Sequence, residues 1–277
     1  MNAASGCCRI ALLIILVLSA VAGCSKRARV WVTRQDHYEI AVEDTTKLTA
    51  TTHNGEQTAL GVEDHGDKVT VDAEVRGGGA NRSDAQAALE AIVVSAERRG
   101  DAILVYWDWA TDKSPAWSAG VNLDIKLPPR LDIELTTHNG QITARGIAGD
   151  CVLATHNGRV TAESTGARMD ATTHNGRLDV ATVATDVFLD TYNGAVHARL
   201  TAEGDVGGRI TSHNGGVSVT LGDTTAVMLD CSTSNGRIHC DHNLERALMK
   251  TTSLKGSVRG GDKVLRVQTR NGSIKIQ

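Results

Sequence analysis

Histidines recur at a fixed place in a four-residue signature of Thr or Ser, a variable residue, Asn and Gly. Adjacent imidazoles bind Zn²⁺ or Cu²⁺ when several donors converge on one ion. A straight row of outward-facing histidines cannot surround a tetrahedral ion, and no carboxylate stands at the equivalent place. The pattern therefore favours solvated side chains, with a pH-sensitive stripe as the alternative, and it predicts no metal site and no cofactor. The histidines concerned are His138, His156, His174 and His213.

Arginines directly follow the signature glycine in three copies. On one surface they would form a cationic strip for a polyanion such as lipopolysaccharide or an acidic glycan. Other residue types interrupt the series, so a solvated face is the competing interpretation. The arginines are Arg159, Arg177 and Arg237, and the interruptions are Ala195, Gly216, Ser257 and Ser273.

No set of residues points to catalysis. The β-helical polysaccharide lyases use clustered acids and a basic residue in one groove, whereas the outward acids of this chain are scattered along it. No serine stands in a nucleophile-elbow context, and no glycine loop matches a phosphate-binding motif. The sequence thus predicts a protein that is not an enzyme, with no catalytic residue. The scattered acids are Asp132, Glu134, Glu163 and Asp179.

The clustered aromatic residues and the later cysteines each allow two interpretations. The rings cluster in one short segment, either covering an open end of the fold or stacking against sugars. The three later cysteines face inward by alternation, which makes Cys151 a free buried thiol and leaves a Cys231–Cys240 disulfide open. The aromatic residues are Tyr106, Trp107, Trp109 and Trp117.

The signature itself defines the architecture. Its glycines, from Gly140 to Gly272, lie 16 to 21 residues apart, and an earlier copy occupies residues 52–55. A near-constant period of this length is typical of a solenoid, in which each repeat buries its apolar side by stacking. We therefore expect a ladder of stacked asparagines at one corner, formed by Asn139, Asn157, Asn175, Asn193, Asn214 and Asn235.

Apolar residues alternate on both sides of every signature, as in Ile133 and Leu135 before it and Ile142 and Ala144 after it. Period-two alternation predicts strands, and Asn-Gly predicts a turn with positive φ. Identical strand pairs stack most simply as parallel coils, so the fold class predicted is an all-β β-solenoid. Alternation places the Thr and Asn of each signature inward and the His outward.

The N-terminus has the pattern of an export signal. Arg9 precedes an apolar run from Ile10 to Ala22, and Val21-Ala22-Gly23-Cys24 resembles the lipobox of bacterial lipoproteins. That resemblance implies cleavage after residue 23, acylation of Cys24 and stable membrane anchoring. Ser25 follows the cysteine, which implies the outer membrane in a Gram-negative cell.

Four segments follow from these patterns: a signal peptide at 1–23, a lipidated tether at 24–36, an N-terminal β region at 37–130, and the regular solenoid at 131–277. The β region includes a short helix near 83–91, which Ser83-Asp84 would cap. The formal net charge of −3 gives no reason to expect a nucleic-acid partner. Aromatic residues are only 3% of the chain, so the core must be thin and aliphatic.

The strand Val121–Leu127 that ends in Pro128, followed by Ser/Thr-x-Asn-Gly-x-Ile/Val units, resembles the bacterial adhesin-type domains named DUF4097. An upstream helical insertion such as Ser83–Ala91 is common in them. The resemblance covers roughly residues 37–277 and implies the fold more firmly than the function. We expect a non-catalytic, lipid-anchored envelope protein whose repetitive surface binds an envelope or extracellular polymer or protein. The alternative is a carbohydrate-binding module or a carbohydrate-active β-helix enzyme.

Overall fold

The computed structural model describes residues 10–12 and 30–277, so the cleavage site, Cys24 and most of the predicted signal peptide lie outside it. These described residues form one helix and 25 strands, which build two long sheets. The prediction of an all-β solenoid with a short helix in the N-terminal half is confirmed. Strand β2 begins at Val30, so residues 30–36, predicted as tether, belong to a sheet instead.

Each coil of the solenoid contributes one strand to each sheet, with the Asn-Gly corner between the two strands. Equivalent strands of neighbouring coils pair in parallel and in register, as Leu135, Leu153 and Ala171 do. The first coil comes from the N-terminal half, because β3 pairs with β9 and β4 pairs with β10. The coil strands are β3 (Lys47–Thr51), β4 (Gln57–Gly61), β9 (Asp132–Asn139), β10 (Ile142–Ile147), β11 (Cys151–Asn157), β12 (Val160–Ser164), β13 (Arg168–Asn175), β14 (Leu178–Thr182), β15 (Asp186–Asn193), β16 (Val196–Leu200), β18 (Gly207–Asn214), β19 (Val217–Leu221), β20 (Thr225–Asn235), β21 (Ile238–Cys240), β24 (Val264–Asn271) and β25 (Ile274–Ile276).

The C-terminal coils do not stack in sequence order. Strand β24 lies between β18 and β20. The last repeat in the sequence is therefore the second-to-last coil in the stack, and the repeat that contains β20 is the last coil. The segment from Ser253 to Gly256, whose glycine falls within the repeat spacing, does not form the corner of a coil, because its strand pairs antiparallel with β20. The solenoid therefore contains eight coils, including the coil formed by the early copy at residues 52–55 and excluding residues 253–256. The strands around the insertion are β17 (Gly204–Asp205), β22 (Glu245–Lys250) and β23 (Ser253–Val258).

Strands that are largely antiparallel extend both sheets at the N-terminal end. In the first sheet, termed sheet A, β5 pairs antiparallel with β2 and β8, and β8 pairs in parallel with the first coil. In the second, sheet B, a β6–β7 hairpin lies beside β3. The elements are β1 (Ile10–Leu12), β2 (Val30–Ala41), β5 (Lys68–Gly79), α1 (Arg82–Ala91), β6 (Ile92–Arg99), β7 (Ala102–Trp109) and β8 (Ser118–Leu127).

Helix α1 rests directly on strand β5. A Cβ on Gly77 would lie 2.4 Å from the backbone nitrogen of Leu89, so the glycine run allows the helix to approach the strand this closely. The N-cap is Asn81 rather than the predicted Ser83, and its side chain accepts a hydrogen bond from the Asp84 backbone N–H at 2.9 Å. The helix thereby covers apolar surface with Ala85, Ala88 and Leu89.

The interior between the sheets is a narrow aliphatic core. Ile142, Leu153, Leu178 and Val196 are completely or almost completely buried, while their sequence neighbours face solvent. This alternation is what removes the apolar side of each coil from water. Within the described residues, no helix is both long and apolar enough to cross a membrane.

Candidate functional site

The Thr or Ser of each signature lies inside the corner, as alternation predicts. Thr173 is 1% exposed, and its hydroxyl donates a hydrogen bond at 3.0 Å to the carbonyl oxygen of Gly158 in the preceding coil. The corresponding bonds in the other coils measure 2.8 to 3.1 Å. These hydroxyls therefore connect successive coils from within.

The asparagines face solvent, and the prediction that they point inward is wrong. The strand bends at the corner, so the alternation of sides fails between the His and the Asn, and both are exposed in most copies. Asn175 donates to Asn157 and accepts from Asn193, each at 2.8 Å. Such bonds measure 2.7 to 2.8 Å and run unbroken through Asn54, Asn139, Asn157, Asn175, Asn193, Asn214, Asn271 and Asn235.

The corner glycines do not have the positive φ that the Asn-Gly motif predicts. Positive φ is found instead at glycines outside the corners, among them Gly100 and Gly146. The corner requires glycine because the coils stack closely: a Cβ on Gly176 would lie 1.8 Å from the carbonyl oxygen of Gly158. The same contact recurs at 1.7 to 2.2 Å from Gly140 to the last coil.

Beside the asparagines, the outward side chains form a stack of six rings. Neighbouring ring centroids lie 4.4 to 4.9 Å apart, with planes inclined by 2 to 7°. Partial desolvation and repulsion from His138 and His174 lower the pKa of His156 below its ordinary value. This ring row consists, in spatial order, of His53, His138, His156, His174, Tyr192 and His213.

The ring row does not form a chelating site. Parallel rings direct their nitrogen lone pairs in parallel, whereas a bound ion requires lone pairs that converge at about 2.0 to 2.1 Å. Within residues 10–12 and 30–277, no three His, Cys, Asp or Glu side chains are arranged to hold a metal ion.

A shallow groove runs along the ring row on the outer face of sheet B. Its floor contains Thr136, Ala154 and Thr172, and one part of it has a volume of about 430 Å³. A second part of about 440 Å³ continues past Asp190 and Tyr192, which line both parts. We call this surface the ring groove.

A second depression of about 370 Å³ lies on the outer face of sheet A and is termed the sheet A groove. It forms over Ala181, whose small side chain lies between Glu163 and Arg199 in the register of three neighbouring strands. Arg145 pairs with Glu163 one coil away. The groove therefore places arginines on both sides of a carboxylate.

The Asp179 carboxylate in this groove lies near two basic side chains. Its carboxylate oxygens lie 3.6 Å from Arg159 Nε and 4.0 Å from His197 Nδ1. The carboxylate is 31% exposed, so these contacts are open to solvent and salt. The charged residues that line the groove are two arginines, Arg145 and Arg199, and two carboxylates, Glu163 and Asp179, so the formal charge of the lining is zero with His197 neutral. Arg159 contacts Asp179 from outside this lining.

The structure brings together two of the three arginines identified from sequence. Arg159 and Arg177 occupy adjacent coils, whereas Arg237 lies in the last coil of the stack. The sequence pattern did not reveal Arg145, His197 and Arg199, because none of them directly follows a signature glycine. Aligning the repeats five residues after the glycine gives Arg145, Glu163, Ala181 and Arg199, which would have revealed the groove.

The remaining candidates are structural. Trp107 and Trp109 pack against the core at the N-terminal end of sheet B, in agreement with the end-cover interpretation. Cys151, Cys231 and Cys240 are free, so the Cys231–Cys240 disulfide is not formed. Burial raises the pKa of the Cys151 and Cys231 thiols to about 12, which keeps them protonated and unreactive.

Residues 120–277 match the family model described as Toastrack DUF4097, and the chain belongs to this family. The resemblance seen in the sequence is thereby confirmed. No curated protein is significantly similar to the chain.

Solved structures with a similar outline include two candidate adhesins and one candidate cell-adhesion protein. The protein from Parabacteroides distasonis is 10% identical, with a TM-score of 0.46, and the match covers 88% of this chain and 97% of that one. The protein from Bacteroides fragilis is 10% identical, with a TM-score of 0.39 and coverage of 89% and 97%. The cell-adhesion protein from Clostridium sporogenes is 11% identical, with a TM-score of 0.37 and coverage of 88% and 98%.

Proposed function

We propose that this protein is a non-catalytic, lipid-anchored component of the cell envelope that binds an acidic polysaccharide in the sheet A groove. The observation that carries the proposal is the alternation of arginines and carboxylates around Ala181. Guanidinium groups bind carboxylates or phosphates in bidentate fashion, and the acids accept hydrogen bonds from sugar hydroxyls. A polysaccharide that carries acidic groups and hydroxyls can therefore bind both the arginines and the carboxylates of the groove.

The groove is open and shallow, which suits a polymer better than an enclosed small molecule. Its charged residues come from successive coils, so contacts are distributed along the solenoid axis. Each exposed contact contributes little alone, and affinity arises from several made together. This is the adhesin-like mode of binding that the family resemblance implies.

Replacing Arg145 and Arg199 together by alanine is expected to weaken binding of polygalacturonate at least tenfold at pH 7.5. Both side chains are exposed, so the variant should fold normally. Isothermal titration calorimetry measures the effect. Arg237→Ala is the matched control, because it removes an exposed arginine from the far end of the solenoid and should change affinity less than twofold. Unchanged binding by the double variant would refute the role of this groove.

The lipid anchor is a separate part of the proposal and rests on the motif that ends in Cys24. Acyl chains on this cysteine would hold the solenoid at a membrane, which we place at the outer membrane because Ser25 follows the cysteine. Cys24→Ala in the full precursor is expected to move the protein from the membrane to the soluble fraction, with its thermal unfolding unchanged. Retention of the variant in the membrane fraction would argue against lipid anchoring.

A carbohydrate-active enzyme is the second candidate function, and one observation favours it. Glu163 and Asp179 line the same groove, although the sequence pattern had suggested that the acids were scattered. Two carboxylates that flank a glycosidic bond are the usual catalytic pair of glycoside hydrolases. Release of reducing ends from polygalacturonate by the wild-type protein, and its loss in Glu163→Gln, would replace the binding proposal with this one.

A further inference from the structure

We propose that the ring groove is a second binding site, independent of the sheet A groove, for a linear polyanion that binds along the protonated imidazoles. The rings of the row stack face to face, so they cover one another's faces and direct their edges toward solvent and the groove. Stacking against sugar rings is therefore blocked within the row, whereas the ring nitrogens remain available.

The rings of the row are regularly spaced. Donor groups repeat every 4.4 to 4.9 Å along one wall, beside a floor of small residues such as Thr136, Ala154 and Thr172. Five such steps of about 4.7 Å make a wall roughly 24 Å long, which follows from the strand spacing. A binding surface of this length and regularity matches an extended chain rather than a compact ligand.

The charge of the row changes with pH. Two imidazolium ions in adjacent coils repel each other, because their ring centroids lie only 4.7 Å apart. Protonating the row without a counter-ion is thus unfavourable, in keeping with the lowered pKa of His156. A polyanion bound along the wall offsets this repulsion. Binding of the polyanion therefore favours protonation of the histidines, and their protonation favours binding.

Few fixed charges compete in the groove. Asp190 lines it beside Tyr192, and Arg270 occupies the ring position one coil beyond His213 and extends the row with a permanent cation. The acids on the adjacent part of sheet B have cationic partners, since Glu134 contacts Lys47 and Asp170 contacts Arg168. The charged groups around the row are Asp190, Arg270, Glu134, Lys47, Asp170, Arg168, Arg209, Arg266 with its partner Asp230 and, across the corner, Arg159 and Arg177.

One position of the ring row already carries an uncharged ring in place of a histidine. Tyr192 stands in the row between His174 and His213 and keeps the stacking at 4.9 and 4.4 Å. Replacing His138, His156 and His174 by tyrosine should therefore preserve the stack and leave only His53 and His213, at its opposite ends, able to become charged. Conversely, Tyr192→His makes all six rings protonatable.

The experiment uses polygalacturonate as the probe and the Arg145→Ala/Arg199→Ala protein as the background, so the sheet A groove contributes little. The probe stays ionised at pH 5.5, because carboxyl pKa values lie near about 4. We expect at least tenfold tighter binding at pH 5.5 than at pH 7.5, with proton uptake detected by calorimetry in two buffers of different ionisation enthalpy. The triple tyrosine variant should show less than a twofold gain, and Tyr192→His a larger gain than the background protein.

Equal affinity at both pH values for the background protein would overturn the proposal. An undiminished pH gain in the triple tyrosine variant would also overturn it, since the gain would then not arise from the three central imidazoles. Circular dichroism and thermal unfolding show whether the triple variant is folded. If it is not, the single variant His156→Tyr is expected to reduce the gain at least twofold, and an undiminished gain would count against the site. Dextran, which is uncharged, should show no pH-dependent binding, and a comparable gain with dextran would exclude recognition of charge.

Discussion

We expect Gly176→Ala to lower the free energy of unfolding by about 3 kcal/mol or more, because backbone atoms must move to make room for the added Cβ. The added Cβ would lie 1.8 Å from the carbonyl oxygen of Gly158 and 2.7 Å from its carbonyl carbon. The same oxygen accepts the hydrogen bond from Thr173, so separating the coils also weakens that bond. Urea denaturation measures the loss.

Two controls separate this steric cause from others. Arg177→Ala, at the next residue, changes an exposed side chain and should cost no more than about 0.5 kcal/mol. Gly100→Ala places a Cβ where no atom lies within 4 Å, but at a φ of +63°. Its expected cost of about 1 to 2 kcal/mol is that of the backbone conformation alone. A loss below 1 kcal/mol for Gly176→Ala would show that the coils are not packed as described.

Arg34→Ala is expected to cost about 3 to 5 kcal/mol, the range for removing one partner of a buried ion pair. Arg34 donates to both carboxylate oxygens of Asp36, at 2.8 and 2.9 Å, and the Asp36 side chain is 0% exposed. The same guanidinium donates to the carbonyl oxygens of Leu89 and Ile92, each at 3.1 Å, at the C-terminal end of α1. The substitution therefore leaves a buried charge unpaired and releases the helix end.

Thermal and denaturant unfolding of three variants tests this account. The double variant Arg34→Ala/Asp36→Ala should be more stable than Arg34→Ala, because it no longer contains the unpaired carboxylate. Arg99→Ala removes the partner of Glu97 from an exposed pair and should cost at most about 1 kcal/mol. If Arg34→Ala proved as mild as Arg99→Ala, the inferred burial of Asp36 would be wrong.

The fold class could be predicted from the sequence because repetition and alternation are local properties. Leu153 and Val152 are neighbours on one strand, and Leu153 faces the core whereas Val152 faces solvent. A two-residue alternation of apolar positions in the sequence predicts this difference. The corner geometry could not be predicted. Asn-Gly commonly marks a positive-φ turn, and only the stacked coils show that the Cβ of residue 176 would collide with Gly158.

The order of the last coils was likewise beyond the sequence. Every signature offers its neighbours the same groups, so Asn271 bonds to Asn214 as readily as Asn235 would. The β22–β23 hairpin decides the order by pairing antiparallel with β20 and occupying its outer edge. The sheet A groove could not be predicted for a related reason. Arg145 and Arg199 are 54 residues apart in the sequence and line one groove only because the coils stack.

The central claim is that the sheet A groove binds an acidic polysaccharide across several coils. The most direct measurement is a crystal structure of the protein with a galacturonate oligosaccharide. We expect the ligand to lie over Ala181, with its carboxylates bound by Arg145 and Arg199 and its hydroxyls near Glu163 and Asp179. An oligosaccharide bound elsewhere on the molecule, or this groove empty at saturating ligand, would contradict the claim.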